Sequence, residues 1–169
     1  MTDSAPPVVL EVWCELQCSD CRTALADVAA LRARYGADLD VQLRHFPLEK
    51  HRHALAAAEA YEEAFAQGMG LPYAAAVLDR VEELEKRGGP LLVEIGAELG
   101  LDAEEIDTAL VDGRHLLVVD ADVAEGKAIG VSGTPTYVIG GEVLDGSDDQ
   151  RGLRERIEKI TDRLLAARA

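Results

Sequence analysis

Two cysteines separated by two residues, Cys18 and Cys21, stand where a buried strand gives way to a helix. Six of the seven residues from 8 to 14 are apolar, which is typical of a strand covered on both faces. From Ser19 onward the apolar residues follow helical spacing. The unpaired N–H groups and dipole of a helix N-terminus favour a thiolate, the reactive form of cysteine. We therefore expect Cys18 to be an exposed thiol of lowered pKa, with Cys21 one turn away and able to form a disulfide with it.

The elements that must position these thiols follow an α/β order. Residues 8–14, 19–35 and 40–46 read as strand, helix and strand, which predicts a right-handed parallel unit. The stretch from 51 to 128 predicts five helices, one of them capped by Asp102. Residues 136–139 and 142–144 flank Gly140–Gly141 as in a hairpin, and an amphipathic helix is predicted over 149–167.

Composition restricts the class of protein. The chain has 169 residues and a net charge of −15, with 32 Asp and Glu against 17 Lys and Arg, which argues against nucleic acid and anionic membranes as partners. Residues 1–7 do not resemble a signal peptide, and no apolar run approaches the roughly 18 residues of a membrane span. We therefore expect a cytoplasmic protein. In a reducing compartment a cysteine pair is more often catalytic or metal-binding than structural.

A second motif, Val131-Ser-Gly-Thr134-Pro135-Thr136, places a proline directly before a predicted strand. Together with the C-x-x-C, the Arg44-His-Phe-Pro-Leu48 segment and the order of elements, it resembles the DsbA-like thiol–disulfide oxidoreductases over nearly the whole chain. The resemblance implies an α/β, thioredoxin-like fold with an inserted all-helical subdomain. The units it predicts are a disordered tail (1–7), the first half of the thioredoxin fold (8–48), the helical insertion (49–128) and the second half (129–169).

The resemblance also implies roles for particular residues. Cys18 would be the attacking cysteine and Cys21 the resolving one. The Thr134–Pro135 bond would be cis and lie beside the sulfurs, and the backbone of Thr134 would pair with an extended substrate segment. The implied substrates are protein or small-thiol disulfides, and a redox partner would reset the pair. No cofactor and no metal are expected.

Two positions depart from the family pattern. The residues between the cysteines are Ser19 and Asp20, where the family has proline first. The charge of Asp20 is expected to oppose the thiolate, unless it points into solvent or caps the helix, and so to make the protein a weaker oxidant than the family's type member. Cys14 is an extra cysteine. It is either a third redox thiol, a ligand completing a three-thiolate metal site, or a small buried apolar residue, and we favour the last.

Acidic and imidazole side chains near the motif leave alternatives open. Glu15 falls where the family commonly has an acid, so it either assists proton transfer for Cys21 or is a solvated or capping residue. His45, His51 and His53 cluster around Pro47 and invite a zinc site, but their spacing fits no zinc finger and favours structural or surface roles. Trp13 is expected in the core beneath the active-site helix.

Two classes of function remain at this point. The first is a thiol–disulfide oxidoreductase that exchanges a Cys18–Cys21 disulfide with its substrates through a mixed disulfide. The second uses the same fold differently, as a glutathione-transferase-like or isomerase-like enzyme or as a nonredox module that binds a metal or a partner. The intact C-x-x-C favours the first, because those enzymes usually lack the second cysteine.

Overall fold

A computed structural model describes residues 5–168 and contains a four-stranded mixed sheet. The strands are β1 (Val8–Cys14), β2 (Leu39–His45), β3 (Thr136–Ile139) and β4 (Glu142–Asp145), in the order β2-β1-β3-β4. β2 is parallel to β1, β3 is antiparallel to β1, and β4 is antiparallel to β3. The predicted strand–helix–strand unit and hairpin are confirmed. The predicted tail of residues 1–7 lies partly outside the described residues.

Eight α-helices accompany the sheet in the described part of the chain. They are α1 (Asp20–Tyr35), α2 (Ala54–Ala66), α3 (Gly70–Leu78), α4 (Val81–Arg87), α5 (Gly89–Glu98), α6 (Ala103–Asp112), α7 (Leu116–Ala128) and α8 (Leu153–Ala166). Six of them lie between β2 and β3, so the prediction of five was wrong. The additional boundary lies between Leu78 and Val81, where one helix ends and the next begins. This architecture is the thioredoxin-like fold with helices inserted between its two halves. The exact domain boundaries stay a prediction.

The main core lies between the sheet and the helices on one of its faces. Helix α1 packs there through Ala24, Leu25, Val28 and Leu31, which share one side of the helix and are buried. α6 begins where predicted, because the Asp102 carboxylate accepts hydrogen bonds from the N–H groups of Glu104 and Glu105 at 3.1 and 3.2 Å.

Trp13 lies in a separate cluster with Phe46 and Val131, so its predicted position beneath α1 was wrong. Successive side chains of a strand point to opposite faces, and Trp13 of β1 points toward α7. Its indole N–H donates to the carbonyl of Asp122 at 3.2 Å, and the Arg44 guanidinium lies over its ring. Gly126 lets α7 approach, since a Cβ at that position would lie 2.5 Å from the indole nitrogen.

Across residues 5–168, the helices are all too short or too polar to cross a membrane.

Candidate active site

The two cysteines of the motif lie at the start of α1, one turn apart. Cys18 precedes the N-cap residue Ser19, and the Cys21 N–H donates to the Cys18 carbonyl at 3.0 Å. The Cys18 N–H in turn donates to the Glu15 carbonyl at 3.0 Å, which closes a tight turn between β1 and α1. Because this turn brings the two residues together, each thiol affects the pKa of the other.

Cys18 is more buried than the sequence predicted. Cys18 is 8 % exposed and Cys21 is fully buried, so Cys18 is the more accessible of the two. Contact with the Cys21 thiol, followed by burial, raises the pKa of Cys18 above its ordinary value. The expectation of an exposed, low-pKa thiol was therefore wrong, because the neighbouring thiol and the loss of water outweigh the helix N-terminus in the dithiol state.

Two groups oppose this rise and favour a thiolate on Cys18. The main-chain N–H of Asp20 and the Thr134 side chain both lower the pKa of Cys18. The Asp20 contact is the helix-end effect expected at this position. The Asp20 side chain is exposed, as in the alternative in which it points into solvent. Ser19 is exposed and makes no side-chain capping bond.

The loop before β3 brings a second segment to the thiols. The Thr134–Pro135 peptide bond is cis, and the Thr134 carbonyl lies 3.9 Å from Cys18 Sγ. Thr134 and Pro135 are both buried. The Thr134 hydroxyl makes no hydrogen bond within residues 5–168 while both cysteines are thiols, so it is free to donate to a Cys18 thiolate. The main chain continues directly into β3 at Thr136, so the segment that contacts Cys18 leads straight into the sheet.

Glu15 carries a buried carboxyl next to the pair. Its side chain is completely buried, which excludes the solvated alternative, and its main-chain N–H points at Cys21 Sγ at 3.5 Å. Burial is the main cause that raises the pKa of Glu15, while His51 opposes that rise. The Nδ1 atom of His51 lies 2.5 Å from Glu15 Oε2.

The sequence analysis did not predict the contact between His51 and Glu15. Glu15 follows β1 and His51 follows β2, and the carboxyl ends of these parallel neighbours lie at the same edge of the sheet. That topology was a usable signal. Gln17 was missed as well; its side-chain oxygen accepts from the His53 N–H at 2.8 Å and ties the segment after β2 to the cysteine turn.

Cys14 ends β1 and is 1 % exposed, in agreement with the interpretation of a buried apolar residue. Interaction with the Cys14 thiol is nevertheless the largest cause of the raised pKa of Cys21.

The histidines around Pro47 point to three different partners. His45 contacts Glu62 at 2.7 Å, His51 contacts Glu15, and the His53 ring lies against Gly88. In the described part of the chain, no three His, Cys, Asp or Glu side chains are grouped as a metal site.

Solvent reaches the motif through a cavity of about 390 Å³ beside Cys18. Its lining combines the cysteine turn, the segment after β2 and one side of α4: Gln17, Cys18, Ser19, Asp20, Lys50, His51, Arg52, Val81 and Glu85. A reactant that enters this cavity can reach Cys18, whereas Cys21 does not line it.

Known proteins share this fold and part of this sequence. The profile of the thioredoxin family matches residues 2–159. A thioredoxin-like oxidoreductase from Silicibacter pomeroyi superposes with a TM-score of 0.75 at 21 % identity, over 96 % of this chain and 87 % of that one. DsbA from Chlamydia trachomatis superposes with a TM-score of 0.79 at 16 % identity, over 99 % and 91 %. The fold is therefore the DsbA-like form of the thioredoxin fold.

The relatives that match this chain by sequence are described as Na⁺/H⁺ antiporters. A Na⁺/H⁺ antiporter NhaA from Herminiimonas arsenicoxydans is 34 % identical over 89 % of this chain but only 24 % of its own length. NhaA 1 from Mycolicibacterium vanbaalenii is 30 % identical over 90 % of this chain and 25 % of its own. The chain thus spans about a quarter of the length of these relatives.

Proposed function

This chain belongs to the thioredoxin family, and on that premise we propose that it is a thiol–disulfide oxidoreductase that works through Cys18 and Cys21. One observation carries the proposal: the two cysteines lie one turn apart at the start of α1, where the Cys21 N–H donates to the Cys18 carbonyl at 3.0 Å and the Thr134 carbonyl lies 3.9 Å from Cys18 Sγ. A pair in this arrangement can close into a disulfide, and its more accessible member borders a cavity.

The reaction begins at Cys18. Its thiolate attacks one sulfur of a substrate disulfide, the S–S bond breaks, and the departing sulfur leaves as a thiolate and takes a proton. The product is a mixed disulfide between Cys18 and the substrate. Thr134 supports this step, since its side chain favours the Cys18 thiolate and its main chain offers a strand-like surface to an extended segment.

Cys21 completes the exchange. After losing its proton it attacks Cys18 Sγ, forms the Cys18–Cys21 disulfide and releases the second substrate thiolate. Two electrons pass from the cysteine pair to the substrate. The same steps in reverse oxidise a dithiol. A separate redox partner resets the pair, and a cytoplasmic location would make net reduction of protein or small-thiol disulfides the working direction.

The transferase-like and isomerase-like alternatives receive less support. They require only one reactive sulfur at the helix start, whereas here a second thiol is buried beneath the first. A nonredox metal module would need at least a third ligand, and within residues 5–168 no three His, Cys, Asp or Glu side chains are grouped to hold a metal.

A second candidate function is favoured by the similarity to Na⁺/H⁺ antiporters over about a quarter of their length. Under this hypothesis the protein acts as a redox module together with a membrane antiporter. Vesicles that contain such an antiporter test it, because Na⁺/H⁺ exchange should then differ between addition of the dithiol and the disulfide form. Identical exchange rates with both forms would reject it.

Insulin reduction in the presence of dithiothreitol tests the main proposal. We expect the wild type and Cys14→Ala to accelerate precipitation of the insulin B chain, and Cys18→Ala to be inactive. Cys21→Ala should accumulate mixed disulfides that a reductant releases, which identifies the substrates in a cell extract. Equal activity of the wild type, Cys18→Ala and Cys21→Ala would reject the redox function.

A further inference from the structure

Four charged side chains that line the cavity beside Cys18 have no partner in the protein. Lys50 and Arg52 belong to the segment after β2 and are positive. Asp20 opens α1, Glu85 lies on α4, and both are negative. All four are exposed, and within residues 5–168 their side chains form neither an ion pair nor a hydrogen bond. Charges of both signs are therefore available to a molecule that enters beside the reactive sulfur.

Other charged groups at α4 are used within the protein. Arg87, at the end of the helix, contacts Glu83 and Glu94. Arg80, directly before its start, contacts the same two glutamates and also Glu98. The cavity charges, in contrast, do not pair with one another in the described part of the chain. A ligand of complementary charge would therefore displace no existing ion pair when it binds there.

The size and the charges of the cavity restrict the class of reactant. Its volume of about 390 Å³ is near the lower end of the range of about 300–1,000 Å³ for small-molecule sites. Positive and negative side chains around one sulfur are complementary to a molecule that carries both carboxylate and ammonium groups. The net charge of −15 does not attract such a molecule, which has little net charge of its own, so its recognition depends on local contacts.

We propose that this cavity binds low-molecular-weight disulfides that carry both ammonium and carboxylate groups, such as the disulfide of an amino-acid thiol, and that these are substrates of the cysteine pair. Lys50 and Arg52 bind the carboxylates of the substrate. Asp20 and Glu85 bind its ammonium groups. The inference rests on the proposed function, because it names the class of substrate that reaches Cys18.

The exchange then reduces one small disulfide to two thiols. The Cys18 thiolate attacks a sulfur of the bound disulfide, the S–S bond breaks, and the first half leaves as a thiolate that takes a proton. Cys21 then forms the disulfide with Cys18 and displaces the second half, so two electrons pass to the substrate. Thr134 and Pro135 do not line the cavity. The small substrate thus approaches Cys18 over a different surface from the main chain that would pair with an extended protein segment.

Oxidation of the reduced protein by a series of small disulfides tests the proposal. The series contains cystine with both charges, cystamine with ammonium groups only, dithiodipropionate with carboxylates only, and uncharged hydroxyethyl disulfide. Loss of free thiols is followed at neutral pH by rapid quenching and alkylation. Each rate is divided by the rate of the same disulfide with dithiothreitol, which corrects for intrinsic reactivity. We expect the corrected rate of cystine to exceed the other three by about tenfold, since each exposed charge pair contributes only a few-fold.

Removal of each pair of charges should have a distinct effect. In the double variant Lys50→Gln/Arg52→Gln, cystine should lose about fivefold relative to cystamine, which lacks only the carboxylates. The control is Lys86→Gln, which removes an exposed positive charge of α4 outside the cavity and should leave this ratio unchanged. Ratios taken within one variant are insensitive to a general change in the reactivity of Cys18.

The negative charges are tested in the same way. In Asp20→Asn/Glu85→Gln, cystine should lose about fivefold relative to dithiodipropionate, which lacks only the ammonium groups. Glu82→Gln is the control, because Glu82 is an exposed glutamate of α4 that does not line the cavity.

Equal corrected rates for cystine, cystamine and dithiodipropionate would overturn the proposal, and this comparison needs only the wild type. A preference for cystine that survives both double substitutions would overturn it as well. In either case oxidation by hydroxyethyl disulfide would still support the proposed function. Absence of oxidation by all four disulfides would instead reject that function.

Discussion

Cys18 Sγ lies 3.9 Å from the carbonyl oxygen of Thr134, a residue 116 positions further along the chain. The contact joins the two halves of the fold at the reactive sulfur. It also means that a substrate bonded to Cys18 must pass directly beside the main chain that leads into β3. An extended substrate segment could pair with that main chain, and specificity would then depend on this loop as well as on the cysteines.

Replacing Thr134 by valine should make Cys18 less reactive. The Thr134 side chain lowers the pKa of Cys18, and a hydrogen bond to a charged group contributes about 1.5–3 kcal/mol, or at least about one pH unit. The iodoacetamide reaction of Cys18 in Thr134→Val should therefore reach half of its maximal rate about one pH unit higher than in the wild type. Thr161→Val removes a buried hydroxyl from α8 and serves as the control. Coincident profiles for Thr134→Val and the wild type would contradict the role of Thr134.

Removing the Cys14 thiol should accelerate the second half of the exchange. Contact with Cys14 is the largest cause that raises the pKa of Cys21, so Cys14→Ala makes the Cys21 thiolate easier to form. We expect the mixed disulfide with a model peptide to resolve several-fold faster at neutral pH, at a cost in unfolding free energy of about 1 kcal/mol. Stopped-flow measurement of peptide release checks this. Slower release in Cys14→Ala would show that Cys14 assists the exchange itself.

Replacing Glu15 by glutamine should change how stability depends on pH. Burial raises the pKa of Glu15 above its ordinary value of 4.5. At a pH between 4.5 and the raised pKa, the folded protein therefore binds a proton that the unfolded chain does not. The contribution of Glu15 is complete below pH 4.5 and declines as pH rises, by up to about 1.4 kcal/mol for each pH unit of that window.

Urea unfolding of the wild type and Glu15→Gln across pH 4 to 8 measures this effect. The unfolding free energy of the wild type, relative to Glu15→Gln, should fall as the pH increases. A relative stability that instead rises with pH would mean that His51 more than compensates for the burial of the carboxylate.

Gly126→Ala should loosen the contact between α7 and β1. The added Cβ would lie 2.5 Å from the Trp13 indole nitrogen and 3.2 Å from Phe46, so side chains or the helix must move, at a cost of about 1–3 kcal/mol. Gly89→Ala is the matched control, because its Cβ would meet Leu110 at an ordinary 3.7 Å. Denaturant unfolding should show Gly126→Ala to be the less stable of the two. Equal stability would contradict the close approach of α7 to Trp13.

Local patterns predicted the parts of the molecule that depend on local physics. The strand before Cys18, the helix after it and the cap at Asp102 follow from residue spacing and hydrogen-bonding chemistry over a few residues. The raised pKa of Cys18 could not be found in this way, because it depends on a neighbouring thiol and on burial. Trp13 was misplaced because an uninterrupted apolar strand does not reveal which face each residue occupies.

The pairing of Glu15 with His51 shows more clearly what local sequence patterns cannot predict. Each residue looked ordinary alone, and the 36 positions between them hide the contact unless the ends of β1 and β2 are first placed at one edge of the sheet. The additional helix boundary near Asp79 and Arg80 was missed for a related reason. Neither Asp79 nor Arg80 is a helix-breaking residue, so residue type at those positions could not predict the boundary.

The most direct test of the central claim is the reversible formation of a Cys18–Cys21 disulfide in a graded series of glutathione buffers. After alkylation of free thiols, one tryptic peptide, residues 1–22, contains all three cysteines, and fragmentation locates the bond. We predict a single transition from three alkylated thiols to one, with Cys14 remaining free and a midpoint nearer to about −270 mV than to about −120 mV. Three alkylated thiols at every ratio of oxidised to reduced glutathione, or a bond that involves Cys14, would contradict the account.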